Sequence, residues 1–300
     1  QRTEERLNVA FEACSGAHWL AHQLIAIGHH VRLLTPESVR PFAKAQKNDW
    51  NDALVIAEAA QRPGRHAVGI KSQEQSDIQA LHRVRQRLVT GRTAIVNQVR
   101  GLPRERGLVF GSGRLRFGRF LREHLTSQEI QLNPVCRALF ATLATEYEAI
   151  DTRIEAIDAE LAAFANFNSA CRALMSVPGV GVIVATALFS AVANVSDFRS
   201  GRDLAAFLGL VPRQRSTGGK TTLLGISKRG NTNVRTLMLH GMRSAFYNRK
   251  KRENSITTFM ERLVERGMHT NRIVVASANK SARIIWAILT QNTLFQPNAA

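Results

Sequence analysis

One short basic segment holds the residue types best suited to attacking a phosphodiester. It reads Pro212-Arg213-Gln214-Arg215-Ser216-Thr217-Gly218-Gly219-Lys220. A hydroxyl that attacks phosphorus needs cations beside it to bind the phosphate and to stabilise the developing charge. The three cations could serve either hydroxyl, and the glycines let the chain approach a nucleic-acid backbone. A flexible surface loop fits the local sequence equally well. A nucleotide-binding P-loop is excluded, because Gln214 occupies the position of that motif's first glycine.

A second candidate site is acidic. Asp49 and Asp52 are three residues apart, which places them on one face of a helix, and Glu12 ends an apolar stretch upstream. Three carboxylates at one edge of a small sheet could bind Mg²⁺, a hard cation that prefers oxygen ligands and assists phosphodiester chemistry. Spacing alone somewhat favours the alternative, a solvent-exposed first helical turn, where Asp is stabilised by the helix dipole.

Two further segments offer donors to phosphate. The first is Ser176-Val177-Pro178-Gly179-Val180-Gly181, a helix–hairpin–helix pattern in which Gly179 and Gly181 allow close backbone approach. A tight turn between helices explains it equally well. The second is Gly225-Ile226-Ser227-Lys228-Arg229-Gly230-Asn231, followed by Arg235 and Arg243 and by Arg249-Lys250-Lys251-Arg252. These cations suit phosphate oxygens, although a solvated charged helix end is the alternative for the last four.

The overall charge favours a polyanionic partner. The 300 residues carry a net charge of +18, and residues 171–300 alone hold 19 basic and 5 acidic side chains, a net of +14. Such an excess indicates nucleic acid or an acidic membrane surface. No apolar run approaches 18 residues, so a membrane-spanning segment is not expected. The three cysteines are far apart and match neither a zinc pattern nor a disulfide framework, so a cytoplasmic protein is expected.

Hydrophobic patterns predict the elements that position these residues. Strands are predicted at residues 7–13, ending near Glu12, and at 30–34, with helices at 18–27 and 48–60. This alternation is typical of an α/β domain with parallel strands. The predicted apolar faces are Trp19, Leu20, Leu24 and Ile25 in the first helix, and Ala53, Leu54, Ile56, Ala57 and Ala60 in the second.

Two long amphipathic helices are predicted next, at 72–100 and 134–165, separated by a basic, Gly- and Pro-rich stretch at 101–118. The first has near-heptad spacing of Leu81, Val84, Leu88, Ile95 and Val99, which predicts a coiled-coil arm. An ordinary helical hairpin or a dimerisation element is also compatible. Residues 171–300 are predicted to be mostly helical, broken by Gly-rich turns.

Four motifs occur here in a fixed order. They are Lys47-Asn48-Asp49-Trp50-Asn51-Asp52-Ala53, the Pro178-Gly179 turn segment, Phe207-Leu208-Gly209-Leu210-Val211-Pro212-Arg213-Gln214 with Ser216-Thr217-Gly218-Gly219-Lys220, and the segment from Gly225 to Asn231. Together they resemble the DEDD transposases of the one-hundred-and-ten family of bacterial insertion sequences, over essentially the whole chain. The resemblance implies a fold that is α/β plus all-α: a truncated RuvC-like (RNase H type) domain at 1–71, a coiled-coil arm at 72–170 and a helical transposase domain at 171–300.

The resemblance also implies roles for individual residues. Ser216 matches the nucleophile that forms a phosphoserine link, although a shift of one residue would place Thr217 there. Glu12, Asp49 and Asp52 match the last three carboxylates of a Mg²⁺-binding tetrad, whose first Asp is expected on a strand upstream of Gln1. Nucleic-acid contacts are expected from Gly179, Gly181, Arg213, Arg215, Thr217, Gly218, Gly219, Lys220, Lys228, Arg229, Arg235 and Arg243.

The partners implied are donor and target DNA, a structured guide RNA, and further copies of the chain as dimers that assemble into tetramers, in the bacterial cytoplasm at the nucleoid. Two other functions stay open on the sequence. One is a RuvC-like nuclease that hydrolyses DNA with metal-activated water. The other is a non-catalytic nucleic-acid-binding protein with a helix–hairpin–helix motif.

Overall fold

The computed structural model describes residues 5–42, 48–62, 67–102 and 133–297, together with Arg104 and Phe117. Most of the Gly- and Pro-rich stretch at 101–118 therefore lies outside the described residues, as does Lys47. The described chain is mostly helical with few strands, which is compatible with the α/β plus all-α expectation.

The N-terminal part is a small three-stranded sheet with helices. Strand β1 (Asn8–Glu12) pairs in parallel with β2 (His30–Leu34), and β3 (Ala67–Val68) pairs antiparallel to β2. Helix α1 (Ala17–Ala26) connects the parallel strands. After β2 come α2 (Pro36–Val39) and α3 (Asp49–Gln61), and α3 packs against β1. The predicted strands and helices are confirmed here.

The predicted apolar faces of α1 and α3 are only partly right: Ile56 and Ala60 pack against the buried cluster at α3, but most of the other predicted residues are exposed. Helix α1 buries Ala17 and Ala21, while Trp19 is 67% exposed. Helix α3 buries Val55 and Ala59 and leaves Leu54 half exposed. Both helices are apolar on more than one side, so periodicity does not decide which side meets the sheet. The exposed predicted residues are Leu20, Ile25, Ala53 and Ala57.

Two long helices follow and pack against each other, as predicted. They are α4 (Gln73–Gly101) and α5 (Pro134–Phe167). Helix α4 begins with a reciprocal capping box, in which the side chains of Ser72 and Gln75 each accept from the other's backbone N–H. Asn133 caps α5 by accepting from the N–H of Cys136, and Pro134 suits the first helical turn.

The α4 seam is more polar than the heptad pattern predicts. Val84 is 43% exposed, whereas Gln75 and His82 are buried. Both buried side chains have hydrogen-bond partners at α7, described with the site below. Two other polar residues of α4 pair with α5: Arg85 with Asp158 and Arg92 with Asp151.

The C-terminal part is a helical domain with one β-hairpin. Its elements are α6 (Ser169–Met175), α7 (Val182–Ala191), α8 (Gly201–Phe207), β4 (Pro212–Thr217), β5 (Lys220–Ile226), α9 (Thr232–Tyr247), α10 (Ser255–Glu265) and α11 (Thr270–Gln291). Helix α11 contacts α6, α8, α9 and α10, and one large apolar cluster spans these helices. The base of the arm joins this domain, because both α4 and α5 pack against α7.

Among the described helices, α11 is long and apolar enough to cross a membrane by length and composition alone. Its buried residues recur at helical spacing, from Ile273 through Ala278 and Ala282 to Ile288, and lie in the domain core. Arg272, Lys280 and Arg283 interrupt the apolar run. The helix is accounted for as the core helix of this domain.

Candidate functional site

The segment with the candidate nucleophile is a β-hairpin, which corrects the sequence expectation of a loop. Strands β4 and β5 pair antiparallel, and Gly218-Gly219 forms the two-residue turn between them. Both glycines have positive φ, +56° and +76°. A two-residue turn whose backbone twist matches that of the strands requires positive φ at both positions, which glycine adopts at little cost. Every residue of β4 is exposed, so the hairpin projects from the domain.

The hairpin register separates Ser216 from two of its flanking cations. Ser216 lies opposite Thr221, while Thr217 lies opposite Lys220 and Arg215 opposite Thr222. Directly opposed residues share a face, and successive residues alternate between faces. Ser216 is therefore on one face, and Arg215, Thr217 and Lys220 are on the other. Arg213 stands at a register irregularity between Pro212 and Gln214.

Ser216 has polar neighbours of its own. Gln214 Nε2 donates a hydrogen bond to Ser216 Oγ at 2.8 Å, and Thr221 Oγ1 lies 3.3 Å from the same oxygen. Neither partner is a base. The sequence expectation of two hydroxyls among three cations is thus corrected: Thr217 shares a face with cations, and Ser216 shares a face with an amide and a hydroxyl.

The base of the hairpin is held by a tight backbone crossing. Gly209 and Gly230 both have positive φ, and a Cβ at Gly209 would lie 2.8 Å from the backbone nitrogen of Arg229. The guanidinium of Arg235 bridges the crossing, since it donates to the carbonyls of Leu208 at 3.3 Å and Arg229 at 2.9 Å.

Arg235 is only 6% exposed. The structure therefore contradicts the expectation that its side chain contacts phosphate, and a buried set of carbonyl acceptors is the reason. The exposed side chains nearby are those of Lys228 and Arg229 on the loop before α9, and that of Arg243 on α9, whose Nη2 lies 3.4 Å from Asn271 Oδ1.

The two glycines of the α6–α7 turn differ. The two helices and the turn between them that the sequence predicted are present. Gly179 has φ +83°, and a Cβ there would lie 2.9 Å from the carbonyl oxygen of Gly241 on α9 and would overlap Met242. Gly181 begins α7 with extended backbone, and a Cβ there would meet nothing within 4 Å. Packing therefore requires glycine at 179 but not at 181.

The candidate metal ligands are not brought together. Glu12 is the last residue of β1, and Asp49 and Asp52 lie exposed in the first turn of α3, after its N-cap Asn48. In the part of the chain that the structure describes, no three His, Cys, Asp or Glu side chains lie close enough to hold a metal ion. The Mg²⁺ site expected from the resemblance therefore does not fit these three residues as placed. Their arrangement matches the alternative, a solvent-exposed first turn.

Buried polar residues at the base of the arm were missed by sequence reasoning. Gln75 Nε2 donates to the carbonyls of Val192 at 2.9 Å and Phe189 at 3.1 Å, at the end of α7. His82 Nε2 lies 2.9 Å from Thr186 Oγ1. Because that hydroxyl donates to the carbonyl of Val182, it accepts from His82, which therefore carries a proton on Nε2.

Burial lowers the pKa of His82 to about 4, and the positive charge of Arg85 lowers it as well, while Asp158 opposes them. Burial also lowers the pKa of Lys71 to about 8 and raises that of Cys171 to about 12, so Cys171 is a buried, unreactive thiol. The heptad of Leu81, Leu88 and Ile95 does not pass through Gln75 or His82, so the pattern carried no signal for their burial.

Comparison with known proteins gives the class of protein to which this chain belongs. Residues 1–104 match a transposase family of the DEDD type of IS110 elements, and residues 171–256 match the family described as Transposase IS116/IS110/IS902. The transposase for insertion sequence element IS1111A of Coxiella burnetii is 42% identical over 97% of this chain and 80% of its own length. A probable family 20 transposase of Pseudomonas aeruginosa is 40% identical, over 96% of this chain and 86% of its own.

A third relative, the transposase for insertion sequence element IS1328 of Yersinia enterocolitica, is 37% identical over 96% of this chain and 85% of its own length. Fold, basic hairpin and relatives together define an insertion-sequence transposase, an enzyme that cuts and rejoins DNA. The chain belongs to the IS116/IS110/IS902 family of these transposases.

Proposed function

We propose that this transposase cuts and rejoins DNA through a covalent phosphoserine link at Ser216, and that a structured RNA guides it to its donor and target DNA. The observation that carries the proposal is the projecting hairpin, which presents the Ser216 hydroxyl to solvent on an anchored base. The charge of the domain supports a polyanionic partner. Guidance by RNA, assembly of dimers into tetramers and action at the nucleoid rest on the family resemblance.

The reaction is a transesterification. The Ser216 hydroxyl loses its proton to solvent as its oxygen forms a bond to phosphorus, the bond from phosphorus to one sugar oxygen breaks, and that sugar oxygen takes up a proton from solvent. Attack by a second sugar hydroxyl then displaces Ser216 and restores a phosphodiester, so no external energy source is needed. The hydrogen bond from Gln214 orients the serine oxygen.

The cations act on neighbouring phosphates. Because Arg215 and Lys220 lie on the face opposite Ser216, they hold flanking parts of the backbone, and Lys228, Arg229 and Arg243 extend that contact along the domain surface. DEDD transposases usually use a divalent metal. We derive no step through one, because the three described carboxylates do not form its site.

The test compares Ser216→Ala with Thr217→Val, a neighbouring change on the other face. Each variant is incubated with its copurified RNA and labelled element DNA, then denatured and resolved by electrophoresis. Ser216→Ala is expected to lose the covalent protein–DNA adduct while native binding survives, and Thr217→Val is expected to retain the adduct.

Adduct that persists in Ser216→Ala contradicts the proposal. If only Thr217→Val loses the covalent adduct, the nucleophile is Thr217, on the face that holds the cations. Cleavage that survives Ser216→Ala but disappears in Asp49→Ala identifies the competing function, hydrolysis by a metal-activated water. If neither the wild-type protein nor any variant cuts the DNA that it binds, the non-catalytic alternative is correct.

A further inference from the structure

A cleft of about 670 Å³ lies on the C-terminal domain, away from the base of the hairpin. One wall is the α6–α7 turn, including Gly179 and Gly181, and the other is the end of α9 and the start of α10, including Ser244, Asn248 and Thr257. On α9 the cleft extends from Gly241 to Asn248, whereas the hairpin adjoins the start of that helix at Asn231. At 1.5 Å per residue the cleft therefore begins about 15 Å from that point and ends about 25 Å from it.

The cleft is cationic. The two charged residues that line it are Lys251 and Arg252, and both side chains are exposed. No acidic residue is among its lining residues. Arg249, from the same basic run, is occupied elsewhere: its guanidinium pairs with Glu261 at 3.0 Å and lies over the Phe246 ring. Two of the four cations in that run therefore face the cleft.

No packing contact requires glycine at position 181, in the wall of the cleft. Its backbone is extended and a Cβ would contact nothing within 4 Å, so the fold accepts a side chain there. The absence of a side chain leaves the backbone N–H groups at the start of α7 accessible from the cleft, where side-chain capping does not occupy them. Ser244 also lines this space and carries a hydroxyl that can donate, while the amide nitrogen of Asn248 donates to the Ser244 carbonyl at 3.0 Å.

We propose that this cleft binds the sugar–phosphate backbone of a nucleic-acid strand, at a position separate from the strand that Ser216 attacks. The proposal rests on the nucleic-acid partner of the proposed function but not on the role of Ser216. Lys251 and Arg252 hold successive phosphates, and the open Gly181 wall admits the backbone.

The test uses the full chain and three probes of one sequence: single-stranded RNA, single-stranded DNA and duplex DNA. Affinity is measured against salt for the double variant Lys251→Gln, Arg252→Gln. The matched control is Arg262→Gln, Arg266→Gln, which removes the same charge from the far end of α10. Losing two phosphate contacts lowers the salt slope by about 1.4 for single strands and about 1.8 for duplex.

These slopes correspond to an affinity loss of about 25-fold to 60-fold at 0.1 M salt for the probe that occupies the cleft. The control is expected to keep the wild-type slope. Gly181→Glu is expected to match the double variant, while Gly181→Ala binds normally, with circular dichroism and melting to verify that both fold. The probe whose salt slope is lowered in the double variant identifies which kind of nucleic-acid strand occupies the cleft.

Equal slopes for the double variant and its control on all three probes overturn the proposal. So does a Gly181→Glu protein that folds and binds like wild type. Failure of the serine mechanism is distinguished from failure here, because Ser216→Ala retains cleft binding.

Discussion

The same substitution made two residues apart in the α6–α7 turn is expected to have opposite consequences. Gly179→Ala puts a side chain on a residue with φ +83°, where an L-residue costs about 1–2 kcal/mol. The new Cβ also lies 2.9 Å from the Gly241 carbonyl oxygen, so α9 must shift. Overpacking of this kind costs about 1–3 kcal/mol. The free energy of unfolding is therefore expected to fall by about 2–5 kcal/mol.

Gly181→Ala is the matched control. Its backbone is extended and the added Cβ meets open space, so no strain arises. Alanine is a poorer helix cap than glycine, which costs a few tenths to about 1 kcal/mol. Alanine also lowers the conformational entropy of the unfolded chain, which stabilises the folded protein by about 0.4–1 kcal/mol. The net change is expected to stay within about 1 kcal/mol of zero.

The assay is urea unfolding followed by the fluorescence of Trp286, which donates to the Phe198 carbonyl at 3.0 Å within the C-terminal domain. The other two tryptophans, Trp19 and Trp50, are largely exposed, so a background with phenylalanine at both positions leaves one reporter. Equal unfolding midpoints for the two alanine variants refute the reasoning, as does a Gly179→Ala change under about 1 kcal/mol.

Two more predictions concern buried polar groups. The pKa of His82 is about 4 in the folded protein and near 6.5 in the unfolded chain. Between these values only the unfolded chain binds the proton, so stability is expected to fall as pH drops from about 6.5 to about 4, by roughly 1.4 kcal/mol per unit. His82→Gln keeps a donor for Thr186 without titrating, and its stability curve is expected to be shallower in that window; parallel curves contradict the assignment. Arg235→Met leaves the Leu208 and Arg229 carbonyls without their donor and is expected to cost about 2–4 kcal/mol, whereas Arg229→Met changes an exposed side chain and is expected to cost under about 0.5 kcal/mol. The same fluorescence-detected unfolding measures both, and equal effects of the two changes contradict the structural role of Arg235.

The sequence predicted most elements because their local signals were strong. Strand β1 and the two long helices follow directly from the hydrophobic periodicity. Burial was harder to predict. Helices such as α1 and α3 are apolar on several sides, and only the sheet against which they pack selects the small residues Ala17 and Ala59 as the buried ones.

The sequence contained a signal for the hairpin, although residues 171–300 were predicted to be mostly helical. Gly218-Gly219 is a strong two-residue turn, but the exposed strands beside it lack the apolar alternation that usually reveals a strand. The relation of Ser216 to its neighbours depends on that register, so the sequence could not separate it from Arg215. Nor could sequence distance show that Arg235 reaches back to Leu208.

The capped start of α4 has a mechanical consequence. Gln75 ties that end to the last carbonyls of α7, and α7 begins at the turn that lines the basic cleft. With 29 residues, α4 is a stiff lever about 44 Å long. A sideways force that moves its far end by about 5 Å rotates the helix by only about 6° at Gln75. Gln75 therefore links the arm to the helix whose other end, next to Gly181, lines the basic cleft.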